Sequence, residues 1–224
     1  ITGVVTILYI ALTLDEIHWS AVQALPSGST QQVIGALWPD LAPSADEIDA
    51  SRAVAGLQAV QQADVILYDR LAPQDIMDEN PSAEKIPVGK VPRGKYVPQE
   101  ETNLLLVEHA QQGKKVVRLK GGDSFVFGRG GEEWQACAAA GVPVRIIPGV
   151  TSCVAGPELA GVPLTHRHMV QGFTVVSGHV APGDTRSELD WAQIAKTGTT
   201  LVILMGVAHI GDIATRLMDG GLAG

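Results

Sequence analysis

The sequence has 224 residues, of which 46% are hydrophobic and 18% are charged. This length and apolar content suffice for a buried core, in one large domain or two small ones, and exclude a wholly disordered chain. A net charge of -8 and an aromatic content of 4% argue against a protein that binds nucleic acid by neutralising phosphates. The two cysteines, Cys137 and Cys153, are too few for a disulfide framework, which favours a reducing, cytoplasmic location.

Charge is distributed unevenly along the chain. Residues 85–133 carry nine basic and six acidic side chains, whereas residues 1–84 carry two and twelve. If the ligand is an anion, the middle of the chain is where a local field attracts it. A solvated surface of helices and loops is the alternative interpretation of the same charges.

The chain opens with an apolar run over residues 4–14. This run is shorter than the roughly 18 residues of a membrane span, so no membrane association is expected. It predicts a buried strand or helix, and a cleaved signal segment is the weaker alternative. Residues 15–52 are rich in turn formers and are interpreted as a linker, an insertion or a weakly specified helix.

From about residue 53 onward, short Val/Ile/Leu runs alternate with helical patterns, which is typical of β-α units and a mostly parallel sheet. Two helices are predicted, over residues 100–112 with Gly113 as a stop and over residues 132–140 with Gly141 as a stop. The predicted strands are 64–68, 116–119, 144–147, 173–176 and 201–204.

Small or polar residues follow each predicted strand. Ligands in open parallel sheets bind beyond the carboxyl ends of the strands, so these residues are expected to line a cleft. The segments are Asp69, Lys120 to Asp123, Pro148 to Ser152, Gly178 with His179, and Met205 with Gly206.

The segment 121–131 contains five glycines in eleven residues. Glycines let the backbone approach a ligand closely, and N–H groups at a helix start favour a carboxylate or phosphate. The spacing fits neither G-x-x-x-x-G-K-[ST] nor G-x-G-x-x-G, which disfavours a nucleoside triphosphate or a Rossmann dinucleotide. A turn that merely packs a strand on a helix is the alternative interpretation.

From about Gly56 onward, several motifs follow one another in a characteristic order. They are Tyr68-Asp69-Arg70-Leu71, Val88-Gly89-Lys90, residues 97–103, the glycine segment within 118–133, residues 148–152, residues 161–167 and Gly178-His179. Taken together, these motifs resemble those of the uroporphyrinogen III C-methyltransferases. This resemblance implies an α/β, two-domain tetrapyrrole-methylase fold, in which each domain has a mostly parallel or mixed sheet with flanking helices and the active-site cleft lies between them. The predicted divisions are a divergent segment or linker 1–52, an N-terminal domain 53–160 and a C-terminal domain 161–224.

The resemblance also implies a reaction. A homodimer would use S-adenosyl-L-methionine, without a metal, to methylate uroporphyrinogen III at two pyrrole carbons and give precorrin-2 for sirohaem or cobalamin. By motif position, Asp69 matches the proton acceptor and Lys90 the proton donor. The substrate is rich in carboxylates, and its candidate clamps are Arg129, His166 and Arg167, with Arg93 and Lys95. The cofactor contacts by motif position are Gly121, Gly122, Asp123, Val126, Thr151, Ser152 and Met205.

Each residue type also has an ordinary structural interpretation. Asp69 is in a position to cap a helix, and Lys90 resembles an ordinary surface lysine. Met205 is by default a core methionine, and Phe125 and Phe127 alternate as residues that fill a core do.

The largest departure from the family lies before Gly56. The family opens with a strand and a G-x-G-P-G-D-P loop, whereas no such glycines precede Gly56 here. Residues 2–10 are a candidate for that first strand, and Ser124 stands where the family usually has proline. Two alternative functions therefore stay open, a methylase of a later corrin precursor and a binding protein that keeps the fold with weak or no catalysis.

Overall fold

The computed structural model describes residues 5–10, 51–72, 74–89 and 97–222. Lys90, Arg93, Lys95 and nearly all of the segment 15–52 lie outside the described residues. The chain forms two compact units, Ile1–Thr151 and Ser152–Gly224.

The first unit is a parallel sheet flanked by helices, with strand order β3-β2-β4-β1-β5. The predicted strands 64–68, 116–119 and 144–147 are confirmed as β2, β4 and β5, and the two predicted helices as α3 and α4. The elements are β1 Val5–Ile10, α1 Ser51–Gln61, β2 Val65–Tyr68, α2 Gln74–Asp78, β3 Glu84–Pro87, α3 Gln99–Gln111, β4 Val116–Gly121, α4 Gly130–Ala139 and β5 Val144–Ile147.

Residues Val5–Ile10 of the opening apolar run form a strand in the interior of the described sheet. Val5 pairs with Val116 of β4 on one side and with Val144 of β5 on the other. Interior strands of parallel sheets typically have continuous apolar sequences, as this one has. The alternative of a helix over these residues is therefore wrong.

Helices cover both faces of the sheet, and the alternation of side chains along the strands decides which residue faces which helix. On β4, Val116 packs in the core cluster that contains Leu106 of α3 and Cys137 of α4. Val117 packs in the opposite cluster, with residues of α1 and α2. Because the period is two, Arg118 and Lys120 share the face of Val116 and point towards α3 and α4.

The second unit contains a two-stranded parallel sheet in which Phe173 pairs with Thr200. The predicted strands 173–176 and 201–204 are confirmed here as β6 and β7. Its core contains Trp191 and Ile213, both buried. The elements are α5 Ser152–Leu159, β6 Phe173–Ser177, α6 Trp191–Ile194, β7 Thr200–Leu204, a 3-10 helix Val207–His209 and α7 Ile210–Asp219.

Helix α5 belongs to the second unit by its contacts, since it packs against β7. The domain boundary predicted from the sequence, at residue 160, assigned residues 152–159 to the N-terminal domain, and that division of the chain stays a prediction. Among the described residues, no helix is both long and apolar enough to cross a membrane.

A buried asparagine fastens the end of α1 to the loop that leads into β3. The Asn80 amide nitrogen donates to the carbonyls of Val60 and Ala63, at 2.8 and 2.9 Å. Its carbonyl oxygen accepts from the Ser82 hydroxyl at 2.7 Å and from the Ala83 N–H at 3.2 Å. The side chain therefore adds a partner for the Val60 carbonyl, which also accepts from the Ala63 N–H at 3.1 Å, and supplies one for the carbonyl of Ala63 beyond the end of the helix.

Replacing Asn80 with alanine removes these hydrogen bonds and takes from the Ala63 carbonyl the partner that the side chain supplies. We expect Asn80→Ala to lower the free energy of unfolding by about 2–4 kcal/mol. Urea unfolding followed by circular dichroism measures this loss. The neighbouring Glu79 is exposed, so Glu79→Gln is the matched control and is expected to change stability by less than about 0.5 kcal/mol. Equal stability of the two variants would contradict the capping role.

Candidate active site

The ends of β2, β3 and β4 surround a cavity of about 280 Å³ in the first unit. Asp69 follows β2 directly, Gly89 follows β3, and Gly121 is the last residue of β4. Asp69, Gly121 and Arg129 were predicted from the sequence, and the structure places all three on this cavity. The cavity is also lined by Lys120, which was expected at the cleft without a catalytic or binding role, and by Arg118, which was not expected there.

Four charged side chains form a network on one side of this cavity. The Arg118 Nη2 atom donates to Asp69 Oδ1 at 2.6 Å, and Arg118 Nε donates to Glu133 Oε1 at 3.0 Å. Lys120 Nζ lies 3.5 Å from Asp69 Oδ2 and 3.5 Å from Glu133 Oε1. The network contains two cations and two carboxylates, so its formal charges balance.

The Glu133 end of the network is buried. The side chain of Glu133 is 0% exposed and that of Arg118 is 3% exposed, whereas that of Asp69 keeps 27%. Gln99, at the start of α3, also donates to Glu133 Oε1, at 3.1 Å. Charge is therefore neutralised in the interior, and Asp69 is the carboxylate that reaches solvent.

The pKa values of the two cations are shifted in opposite directions. For Lys120, burial and then the charge of Arg118 lower the pKa below its ordinary value, against the opposing effect of Glu133 and Asp69. For Arg118, burial alone would lower the pKa, but the two carboxylates outweigh it and the pKa is raised. Arg118 therefore stays a cation, and Lys120 is the more readily deprotonated of the two.

The sequence contains a signal for this network. Arg118 and Lys120 are two residues apart in a strand whose other residues, from Val116 to Leu119, are apolar. Two charges at this spacing in a buried strand lie on one face and require buried partners. The identity of Glu133 as that partner depends on the packing of α4, which spacing alone does not give.

Asp123 holds the glycine loop in place. Its Oδ1 accepts from the N–H of Phe125 at 2.9 Å, and its Oδ2 accepts from the N–H of Gly149 at 3.2 Å. Gly149 lies in the segment that follows β5 and leads to Thr151. Asp123 thus joins two of the predicted ligand-binding segments, and its predicted contact with a cofactor stays a prediction.

Two glycines of the loop are required by close packing. A Cβ on Gly128 would lie 2.6 Å from the carbonyl oxygen of Ser124, and one on Gly130 would lie 2.6 Å from Ser124 Cβ. These distances are shorter than real Cβ contacts allow. Gly128 and Gly130 therefore allow the loop to pack against the start of α4, as the alternative interpretation of this segment predicted.

Gly122 differs from those two glycines. It has a φ of +76°, and a Cβ there would meet no described atom within 4 Å. The loop also holds Phe127 and Arg129 at positive φ, 52° and 58°. Non-glycine residues in this region cost about 1–3 kcal/mol each and are frequent at functional sites.

Side chains of the glycine loop are more exposed to solvent than core side chains are. Phe125 and Phe127 are 59% and 48% exposed, so the interpretation that they fill the core is wrong. Arg129 forms a pair of hydrogen bonds with Glu132, at 2.9 and 2.6 Å. The hydrogen bond from Arg129 lowers the pKa of Glu132. Val126 lies in the same loop, partly buried.

The predicted residues of the second unit lie in three places. Ser152 is the first residue of α5, and Met205 follows β7 directly. Met205 is 56% exposed at a φ of 58°, so it is not the core methionine that its type predicts. His166 and Arg167 lie in an exposed turn, where the Nδ1 atom of His166 donates to the carbonyl oxygen of Arg167 at 2.8 Å.

Within the described ranges, no group of three His, Cys, Asp or Glu side chains is arranged to hold a metal ion. The structure thus places Asp69, Gly121 and Arg129 together in the first unit. Lys90 lies outside the described residues, and its predicted role stays a prediction.

Comparisons with known proteins agree on one family. Residues 52–224 match the profile of a family described as Tetrapyrrole (Corrin/Porphyrin) Methylases. Siroheme synthase 1 of Serratia proteamaculans is 54% identical over 170 residues, which are 75% of this chain and 35% of that protein. The siroheme synthase of Photorhabdus laumondii is 49% identical over 169 residues, 75% of this chain and 36% of that protein. The chain spans about a third of the length of these curated relatives.

The chain is also similar to solved structures of methyltransferases. The native form of uroporphyrin III C-methyl transferase from Thermus thermophilus is 34% identical with a TM-score of 0.64, covering 99% of this chain and 78% of that chain. Its complex with S-adenyl homocysteine is 33% identical with a TM-score of 0.63, covering 98% and 73%. A cobalt precorrin-4 methyltransferase is 28% identical with a TM-score of 0.65, covering 76% and 69%.

Adjacent glycines at the start of α4 test the packing of the loop. A Cβ on Gly131 would meet nothing within 4 Å, whereas one on Gly130 collides with Ser124. We expect Gly131→Ala to raise the free energy of unfolding by up to about 1 kcal/mol, because alanine favours a helix. We expect Gly130→Ala to lower it by about 1–3 kcal/mol through overpacking. Urea titrations of both variants measure the difference, and stabilisation by both would contradict the close packing.

Proposed function

Because the chain belongs to the tetrapyrrole (corrin/porphyrin) methylase family, we propose that it transfers methyl groups from S-adenosyl-L-methionine to pyrrole carbons of uroporphyrinogen III. The proposed product is precorrin-2, formed by two transfers, on the route to sirohaem or cobalamin. The observation that carries the proposal is the cavity at the ends of the strands, where Asp69, held by Arg118 and Lys120, lies beside Gly121.

The glycine loop fits a large ligand that approaches the backbone. A Cβ on Gly122 would meet no described atom within 4 Å, and its φ of +76° is one that other residues rarely adopt. A side chain at this position would project into that space. We assign Gly121, Gly122, Asp123, Val126 and Thr151 of the first unit to the cofactor, and Ser152 and Met205 of the second.

When bound, S-adenosyl-L-methionine supplies an electrophilic methyl group on a sulfonium. The new bond joins that methyl to a pyrrole carbon, the bond from sulfur breaks, and the ring acquires a positive charge. Asp69 is suited to stabilise this charge and to accept the proton that leaves the neighbouring carbon. Lys90 is proposed as the proton donor.

Cations around the cavity are suited to the carboxylates of the substrate. Arg129 lines the cavity and presents a planar guanidinium, which binds carboxylates through two parallel hydrogen bonds. In the structure it makes such a pair with Glu132, so substrate binding would exchange one carboxylate for another. His166 and Arg167 are the candidate clamps of the second unit.

A second candidate is a methylase of a later corrin precursor, which the similarity to a cobalt precorrin-4 methyltransferase favours. The identity with that structure is 28%, against 34% for the uroporphyrin III enzyme. The two candidates share the cofactor and the loop, and differ in the substrate that is consumed. The homodimer and the cytoplasmic location predicted from the sequence stay predictions.

Two glycines with similar positive φ values allow a test of the proposed contact between Gly122 and the cofactor. Gly122 and Gly141 have φ values of +76° and +70°, and both face open space, but Gly141 lies beyond the opposite end of α4. Alanine at either position strains the backbone equally. We expect Gly122→Ala to weaken binding of S-adenosyl-L-homocysteine by about tenfold or more, while Gly141→Ala leaves it unchanged. Titration calorimetry measures both, and equal affinities would remove Gly122 from the cofactor site.

Substitution of Asp69 tests the chemical step. Asp69→Asn keeps the shape of the side chain and removes the proton acceptor. We expect kcat to fall by about 10²–10⁴-fold, with the affinity for S-adenosyl-L-homocysteine retained. Anaerobic turnover of uroporphyrinogen III, followed by absorbance, gives kcat and KM. An unchanged kcat would exclude Asp69 from catalysis.

A further inference from the structure

The buried network contains two residues, Arg118 and Glu133, to which the proposed reaction assigns no role. We propose that they are positioning residues, with Glu133 fixing Arg118 and Arg118 fixing Asp69 so that Oδ2 is the oxygen that takes the proton. This inference rests on the proposed function, because it concerns the orientation of its proton acceptor.

The contacts of Arg118 leave its guanidinium little freedom. Nε donates to Glu133, Nη2 donates to Asp69, and Nη1 donates to the carbonyls of Leu67 and Leu119 at 3.4 and 3.0 Å. These contacts use four of the five N–H groups of the side chain. The group is therefore held by β2, by its own strand β4 and by α4, and it transmits a fixed position to Asp69.

Glu133 is the anchor at the buried end. Its side chain is fully buried. Its Oε1 atom accepts hydrogen bonds from Arg118 and Gln99, and Lys120 Nζ lies 3.5 Å away. A fully buried carboxylate is retained at considerable desolvation cost, which requires compensation by such partners. Because Glu133 approaches from α4 while Asp69 approaches from the end of β2, the arginine between them aligns the two elements.

The two oxygens of Asp69 have different surroundings. Oδ1 is engaged by Arg118 at 2.6 Å, which is a short, charge-assisted hydrogen bond. Oδ2 makes the longer and weaker contact, an ion pair with Lys120 Nζ at 3.5 Å. Oδ2 is therefore the less firmly held oxygen and the one that we assign to the substrate proton, and its direction is set by the bond that Oδ1 makes.

A lysine at position 118 tests this assignment. Lysine keeps the positive charge but lacks the planar fork, so it does not reach Glu133 and Asp69 at once. We expect Arg118→Lys to lower kcat by about 10- to 100-fold, the cost of a misplaced catalytic group, with KM and the affinity for S-adenosyl-L-homocysteine changed by less than about twofold. Arg145 of β5 is exposed, and Arg145→Lys is the matched control with unchanged kcat.

A double substitution separates positioning from a general structural effect. If Arg118 acts through Asp69, then Arg118→Lys has no further effect on kcat in an Asp69→Asn background. Single-turnover measurements resolve the slow variants. Multiplicative losses in the double variant would overturn the inference, since they would mean that Arg118 acts independently of Asp69.

A stability measurement tests the same coupling without activity. In urea unfolding, we expect the double variant to have the midpoint of the less stable single variant, because the contact with Arg118 that Asp69→Asn weakens is already lost in Arg118→Lys. Additive shifts would overturn the inference. If the wild-type chain binds the cofactor but methylates nothing, the proposed function fails, and this cycle still decides whether Arg118 and Asp69 are coupled.

A milder variant covers the case in which Arg118→Lys does not fold. Gln99→Ala removes one donor to Glu133 and keeps all four charges of the network. We expect a smaller loss of kcat, about two- to tenfold, that again disappears in the Asp69→Asn background. A loss that persists there would mean that Gln99 does not act through the network, which contradicts the anchoring by Glu133.

Discussion

A guanidinium buried in the interior of a sheet requires neutralising carboxylates, because an uncompensated charge there costs several kcal/mol. In this chain the carboxylates that neutralise Arg118 come from two different elements, Asp69 after β2 and Glu133 on α4. The requirement therefore fixes the end of β2 relative to α4. It also delivers one carboxylate to the edge of a cavity, since Asp69 keeps 27% of its side chain exposed.

The glycine loop is built around the same strand. Gly128 and Gly130 let the loop pack on Ser124, and Asp123 ties its start to the segment after β5. Gly122 is left with no described atom in front of it. One loop thus combines positions that are closed by packing with a position that is open to a ligand, and the open position directly follows the strand that carries Arg118 and Lys120.

Much of the fold was predictable from the sequence, because Val/Ile/Leu runs mark the buried strands. The exceptions have physical causes. Strand β3 has the sequence Glu84-Lys85-Ile86-Pro87 at the edge of the described sheet, where apolar alternation is not needed. The run that forms β1 is apolar throughout, and such a run is compatible with a strand or a helix until its partners are known.

The site was predictable only in part. Asp69 and Gly122 follow strand ends, so position along the chain identified them. Glu133 was missed because its pairing with Arg118 depends on how α4 packs on the sheet. The side chain of Asn80 was missed for the same reason, since its partners at the end of α1 lie about 20 residues earlier in the chain. Resemblance to known enzymes gave the chemistry that these positions alone do not specify.

Methyl transfer to uroporphyrinogen III is tested most directly by the mass of the product. The purified chain would be incubated anaerobically with uroporphyrinogen III and S-adenosyl-L-methionine labelled with ¹³C in its methyl group. We expect precorrin-2, with two labelled methyl groups on the tetrapyrrole. A folded chain that binds S-adenosyl-L-homocysteine yet leaves the mass of the tetrapyrrole unchanged would contradict this expectation.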